Sequence, residues 1–326
     1  MVQVVVGTSI ADDVRSMLDH PDSLGDTTRD REPIELLRVD AAGAGADLAD
    51  ADAAVRWDLG DDGIRAVLDQ APSLRWLHSP GAGVERWPLD VLAERNIVLT
   101  NGAGVFAIPI AEWVLTTMLT IVKNTDAVRE AQRANSWARE LPADELYGKT
   151  LLVLGAGGIG REIIKRADAF GMRIWASNRS GRAVGGAERV VDDDGWRDLL
   201  PDCDFVVSTL PMTPATAKMI GAAELARFKP SAWLLNVGRG ATIDEIALVQ
   251  ALRAGVLGGA ALDAWTTEPL PADDPAWSLP NMIVSPHMSG SSSVGRTRGL
   301  QLFVDNLLRF NAGEPLTNVV DLSTGY

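Results

Sequence analysis

Leu151-Leu152-Val153-Leu154-Gly155-Ala156-Gly157-Gly158-Ile159-Gly160 is the stretch that decides the fold. A four-residue apolar run is short for a helix and right for a buried strand. The glycines follow it at once, and Ile159–Phe170 then carries helical periodicity. In a strand–turn–helix the first glycine permits the tight turn, the second lets backbone approach a pyrophosphate, and the third lets helix pack closely on strand. The helix N-terminus adds unpaired N–H groups and partial positive charge. Gly155, Gly157, Gly158, Ile159 and Gly160 are therefore candidate dinucleotide contacts. A glycine-rich turn without a ligand is the plainer alternative.

Outward from this unit, the βα pattern continues. Arg173–Ala176, Phe205–Thr209, Trp233–Val237, Gly259–Leu262 and Met282–Val284 read as short strands, apolar on both faces, with helices between. That is the signature of a parallel sheet covered on both sides. Towards the N-terminus, Val2–Val6, Arg75–His78 and Ile97–Thr100 read as strands and Ile64–Leu68 as part of a helix. Asp40–Asp52 fits a loop or a weak helix equally. Ile108–Asn124 reads as one long helix with Pro109 in its first turn. Val294–Phe310 is an amphipathic helix after a flexible break at Gly290–Ser293, and is expected to return to the first domain. The expected fold is α/β, with two doubly wound parallel-sheet domains: 1–102 plus 290–326, discontinuous, and 103–289.

Bulk properties narrow the function. At 326 residues the chain is too long for one ordinary core. A net charge of −14 argues against nucleic acid as a partner, which needs a basic face. Cys203 is the only cysteine and there are three histidines, so neither a disulfide nor a metal site is expected. The apolar run Ile108–Val122 contains Glu112 and falls short of the ~20 residues of a membrane span. The start, Met-Val-Gln-Val-Val-Val, lacks the marks of a signal peptide. The expectation is a cytoplasmic protein with no membrane partner.

The end of the strand after the glycine loop speaks to the cofactor. Where an NAD-preferring site carries an acid, this chain has Asn178, followed by Arg179 and Ser180. None of these repels a 2′-phosphate, and the Arg179 fork suits one. NADP(H) is favoured; NAD(H) stays open.

A series of further motifs follows the loop in order. These are Ser208-Thr209-Leu210-Pro211-Met212-Thr213 with Thr216, Phe228-Lys229-Pro230, Leu235-Asn236-Val237-Gly238-Arg239-Gly240, Leu262-Asp263-Ala264-Trp265 with Glu268-Pro269-Leu270-Pro271, and Ser285-Pro286-His287. Upstream stand Ser79-Pro80-Gly81-Ala82-Gly83-Val84-Glu85 and Ile110-Ala111-Glu112. Together they resemble the D-isomer-specific 2-hydroxyacid dehydrogenase family, over nearly the whole chain after about residue 70. The resemblance implies a flavodoxin-like substrate domain, a Rossmann cofactor domain and a cleft between them. It puts a catalytic triad on Arg239, Glu268 and His287, and substrate-carboxylate binding on the backbone N–H groups of Ala82 and Gly83. It adds Leu210, Pro211, Thr216, Val237, Gly238, Asp263 and Gly290 to the cofactor contacts. It also implies a homodimer, with Thr125–Leu146 as a candidate arm.

The triad also makes chemical sense by itself. The planar fork of Arg239 matches a 2-keto acid's carboxylate and reaches its carbonyl oxygen. Hydride arriving at the carbonyl carbon leaves negative charge on oxygen, so a proton donor is needed there, and His287 is the natural one. Glu268 beside it favours the imidazolium and sets the ring. His78 is the rival base, although it ends a buried apolar run and reads more readily as core; His20 before Pro21 reads as incidental. Asp263 is as readily a strand-end structural acid as a ligand. Of the tryptophans, 57, 76, 87, 113, 137 and 265 are candidates for pocket walls, most of them for core; Trp137 is placed to close over a partner subunit's site. An acid at 268, not an amide, disfavours a formate-oxidising relative. The expected activity is hydride transfer between NADP(H) or NAD(H) and a small 2-keto or D-2-hydroxy acid. The alternative is a dinucleotide-sensing, corepressor-like binding protein on the same fold. An amino-acid dehydrogenase is disfavoured, because the five lysines (123, 149, 165, 218, 229) are poorly placed for one.

Overall fold

The computed structural model describes residues 1–20, 32–84 and 86–323. Pro21 and Glu85, both named above, lie outside the described residues. The chain divides into two compact units, Met1–Val105 with Ser292–Tyr326, and Phe106–Ser291.

The first unit is built on five parallel strands: β1 (Val2–Gly7), β2 (Ile34–Val39), β3 (Ala53–Val55), β4 (Trp76–Ser79) and β5 (Val98–Asn101), in the order β2-β1-β3-β4-β5. Its helices are α1 (Ala11–Asp19), α2 (Asp61–Gln70), α3 (Leu89–Glu94) and the C-terminal α9 (Ser293–Asn311). β2 and β3 escaped the sequence reading. β3 is three residues long, and β2 breaks its apolar run with Glu35 and Arg38. Asp40–Asp52, open between loop and helix, is a series of turns. Asp40 Oδ1 accepts the N–H groups of Ala42 and Ala44, an Asx turn that competes with helix.

His78 belongs to this core. It is fully buried, its ring against Phe303 and Trp76 (centroids 5.5 and 6.2 Å apart), and its Nδ1 lies 2.8 Å from Thr100 Oγ1, which also accepts Trp76 Nε1–H. Nε2 has no partner. Burial pushes the His78 pKa down to about 4, so between that value and its ordinary value of about 6.5 only the unfolded chain binds the proton. Stability contributed by neutral His78 is therefore complete above about pH 6.5 and is lost as pH falls towards 4, by about 3 kcal/mol. Urea unfolding at a series of pH values should show the stability of His78→Gln falling less steeply than wild type over that window; parallel slopes would refute the assignment.

The second unit opens with α4 (Ala107–Val122), the helix expected over 108–124, and α5 (Thr125–Arg133), which was not foreseen. The break is at Asn124, which sits in the left-handed region (φ 49°), a conformation asparagine tolerates better than most residues. Then come β6 (Thr150–Leu154), α6 (Gly158–Ala169), β7 (Arg173–Ser177), β8 (Arg189–Val191), β9 (Phe205–Ser208), α7 (Ala222–Leu225), β10 (Trp233–Asn236), α8 (Glu245–Arg253), β11 (Gly259–Leu262) and β12 (Met282–Val284). All pair in parallel, in the order β12-β11-β10-β9-β6-β7-β8. The order reverses between β6 and β9, the point at which open α/β sheets bind ligands. Every residue of β6 is buried, as a central strand covered on both faces requires. α6 buries Gly160, Ile163, Ile164 and Ala167, a stripe at helical spacing that lies on the sheet, and α4 packs against it. β8 was not foreseen: it is three residues long and half exposed.

Candidate active site

Each glycine of the loop after β6 has a separate steric reason. Gly155 has φ +90°, closed to most side chains. A Cβ on Gly160 would stand 2.4 Å from the Gly155 carbonyl oxygen, so any side chain there would lever α6 off β6. A Cβ on Gly157 would meet nothing of the protein within 4 Å, so the space it leaves is open to a ligand. Gly157 is also the N-cap of α6 and offers no capping side chain. The first-turn N–H groups of α6 therefore lack intrahelical acceptors, the arrangement that takes a pyrophosphate. Thr209, at the end of β9, fastens the loop by donating to the carbonyls of Gly155 (2.6 Å) and Leu154 (3.2 Å). Thr216 closes the loop after β9 by donating to Pro211 O (2.7 Å). Leu210 and Val237 are buried. These residues fit a dinucleotide.

At the end of β7 the side chain of Asn178 is engaged by its own loop. Its Oδ1 accepts from Ser180 N, Ser180 Oγ and Arg182 N, and its Nδ2 donates to Arg182 O. Asn178 shapes the loop, while Arg179 and Ser180 stand exposed on it. The Asn178 amide is engaged by the backbone of its own loop and by the Ser180 hydroxyl.

Arg239, Glu268 and His287 follow β10, β11 and β12, three neighbouring strands, so a spacing of ~4.8 Å per strand brings their loops side by side. The glycines flanking Arg239 mark backbone crossing backbone. A Cβ on Gly238 would lie 2.5 Å from Leu210 O, and one on Gly240 would lie 2.0 Å from the Trp265 carbonyl carbon. Asn236, fully buried at the end of β10, clamps the turn: Oδ1 accepts Gly238 N–H and Nδ2 donates to Arg239 O, which also accepts Thr242 Oγ1–H. Arg239 is half-buried and donates through Nη1 to Gly238 O.

The Glu268 carboxylate meets His287 Nδ1 through both oxygens, at 2.9 and 2.8 Å, while Oε1 also accepts the Trp265 N–H. With Nδ1 so occupied, Nε2 is the nitrogen left to exchange a proton with a substrate. His287 itself has φ 54°, a conformation a non-glycine residue keeps only where its surroundings impose it. Asp263 does so. Its carboxylate accepts Ser285 Oγ–H and Met288 N–H on Oδ1 and Ser289 N–H on Oδ2. Both oxygens are engaged and the residue is 1% exposed, so its visible work is to hold the His287 loop, the structural half of the expectation. Gly290 follows on that loop, with Phe106 beside its α-carbon. Thr209, Asn236 and Ser285 were not singled out from sequence. The signal was there: each is a polar residue closing an otherwise apolar strand.

In the first unit the loop 80–84 follows β4, at the carboxyl end of that sheet. Trp76 and Trp87 are core and Trp57 is half-buried beside Gly299, whereas Trp137 is 93% exposed. In the second unit Trp265 is buried and Trp113 half-buried. His20 is exposed at the end of α1. Burial pushes the Cys203 thiol up to about 12, which removes it as a nucleophile.

Comparison with known proteins agrees with this geometry. The sequence model of the D-isomer specific 2-hydroxyacid dehydrogenase NAD binding domain matches residues 115–289. The chain is 34% identical over 259 residues to glyoxylate/hydroxypyruvate reductase B of Pectobacterium carotovorum subsp. carotovorum (strain PC1), covering 78% of this chain and 81% of that one. A D-isomer specific 2-hydroxyacid dehydrogenase family protein from Aeromonas salmonicida subsp. salmonicida A449 superposes with TM-score 0.83 at 32% identity, covering 98% of this chain and 99% of that one. An NADPH-dependent glyoxylate/hydroxypyruvate reductase from Sinorhizobium meliloti, solved with NADP and sulfate, superposes with TM-score 0.81 at 28% identity, covering 99% of both. These relatives are reductases and dehydrogenases, and the corepressor-like alternative finds no support among them. On the matched domain, the coverage and the identity, the chain belongs to the D-isomer specific 2-hydroxyacid dehydrogenase family and is an NAD(P)-dependent oxidoreductase of 2-hydroxy acids.

Proposed function

We propose that the enzyme reduces a small 2-keto acid of the glyoxylate or hydroxypyruvate kind with NADPH, in the cytoplasm, and that Phe106–Ser291 holds the dinucleotide while the first unit contributes to substrate binding. The observation that carries the reading is the two-oxygen contact of Glu268 with His287 Nδ1. It holds the ring in one orientation and leaves Nε2 to deliver a proton to the developing alkoxide. The bound nicotinamide supplies the hydride. Arg239 polarises the substrate carbonyl; carboxylate binding is assigned to it and, in the first unit, to the N–H groups of Ala82 and Gly83. The reductase relatives, and the Sinorhizobium enzyme's NADP, support the substrate class and the cofactor.

Arg179 is the proposed 2′-phosphate contact. Following absorbance at 340 nm, wild type should oxidise NADPH with a lower KM than NADH, and Arg179→Ala should raise the NADPH value roughly tenfold while barely moving that for NADH, the loss of one charge-assisted contact. Equal KM values in wild type would defeat the NADP preference.

A homodimer is proposed through the 125–146 arm. α5 buries none of its residues, and Val128 on it and Trp137 beyond it stand exposed, Trp137 almost wholly, apolar side chains that a second copy would cover, bringing Trp137 to the partner's site. A monomeric mass in sedimentation would overturn this.

A further inference from the structure

Two consecutive peptide groups of the loop after β4 are gripped by the end of β5. Gly102 N–H donates to Gly81 O at 3.0 Å, and Asn101 Nδ2 donates to Ala82 O at 2.8 Å. In a planar trans peptide the N–H points opposite to the C=O. Turning the Gly81 and Ala82 carbonyls towards β5 therefore turns the N–H groups of Ala82 and Gly83 away from it. Neither N–H donates to any acceptor among the described residues. Two adjacent, outward, unspent donors are the receptor geometry for a carboxylate.

Asn101 is built for this duty. It is 7% exposed, and its amide is used at both ends, Oδ1 accepting Ala103 N–H at 3.1 Å while Nδ2 holds Ala82. Its backbone is pinned in turn: Asn101 N–H donates to Asn318 O, and Asn318 Nδ2 donates to the carbonyls of Asn101 and Ala103. Gly102 has no latitude either, since a Cβ there would lie 2.1 Å from Pro80 O. The loop thus leans on the strand end with no room for a side chain between them, and one side-chain amide sets the Ala82–Gly83 peptide.

We propose that Asn101 is a positioning residue for substrate recognition, fixing the Ala82 and Gly83 N–H groups as a two-donor receptor for the carboxylate of the 2-keto acid. The proposal rests on the reading that these N–H groups bind that carboxylate. Asn101 touches no substrate atom; it acts through the peptide it holds, so its loss should fall on binding of the carboxylate, not on the chemical step or the dinucleotide.

The test compares glyoxylate with its uncharged methyl ester in the holoenzyme. Wild type should prefer the acid by well over tenfold in kcat/KM. Asn101→Asp, which keeps size and the acceptor for Ala103 N–H but removes the donor to Ala82 O, should raise KM for glyoxylate by tenfold or more. It should change kcat less than threefold and leave the ester's kcat/KM and the NADPH dissociation constant where they were. Asn101→Ala should do the same, more weakly, lacking the added negative charge. If wild type turns over ester and acid equally, the carboxylate reading itself falls. If wild type prefers the acid and the folded variants keep that preference, Asn101 is not the positioning residue while the carboxylate reading stands. Should neither variant fold, the wild-type holoenzyme still decides by NMR. On adding oxamate, the Asn101 side-chain amide protons should shift together with the Ala82 and Gly83 N–H signals; backbone shifts without the side chain would overturn the proposal.

Discussion

His287→Gln should retain NADPH binding and lose kcat for keto-acid reduction by roughly 10³-fold, within the 10²–10⁴ that positioned proton transfer contributes. Only Nε2 is available to deliver the proton, because Nδ1 is committed to both Glu268 oxygens. A glutamine donates a hydrogen bond to the carbonyl but cannot surrender a proton at neutral pH. The same geometry ranks Glu268→Gln below it. That variant keeps one acceptor for Nδ1–H but removes the second oxygen that fixes the ring, and should cost about a hundredfold in kcat, the lower end of the same range. Single-turnover oxidation of bound NADPH at 340 nm reads both. A His287→Gln enzyme within tenfold of wild type would remove His287 as proton donor.

Arg239→Ala should lose roughly 10³-fold in kcat/KM for glyoxylate, the sum of a charged hydrogen-bonding pair with the carboxylate and one donor at the developing oxyanion. Arg239→Lys should recover only part of this, since a point charge cannot make the parallel pair of bonds a guanidinium makes. The backbone at 239 is held by Asn236, Thr242 and its two glycine neighbours, so the turn itself should survive either change. Steady-state kinetics with thermal unfolding as a control decide it. An Arg239→Lys enzyme with full kcat/KM would show that charge alone suffices and that the planar fork is irrelevant.

The predictions stand on features of unequal visibility in the chain. The glycine loop was legible because its residues serve local geometry: a positive φ at 155, a close approach at 160 and an open space at 157 are properties of one strand–turn–helix. Arg239, Glu268 and His287 were legible as residues because each stands just beyond a short apolar strand that periodicity picks out. The weak strands β2, β3 and β8 were not, since three-residue or charge-bearing strands are stabilised by their neighbours in the sheet and not by their own composition. The helix over 108–124 was legible as α4, whereas α5 was not, since none of its residues is buried and it carries no apolar stripe.

By itself, the sequence determined the class of fold and the position of the glycine loop, because strand periodicity and glycine placement are local; Arg239, Glu268 and His287 came from it as a candidate triad, through the family resemblance. Only the tertiary structure decided what each polar side chain is attached to. It committed Asn178 to its own loop, Asp263 to the backbone beneath His287, His78 to an aromatic core and Asn101 to the Ala82 carbonyl. A hydrogen bond forms between whatever groups the fold brings within about 3 Å, and for these side chains the partners lie as many as 26 residues away.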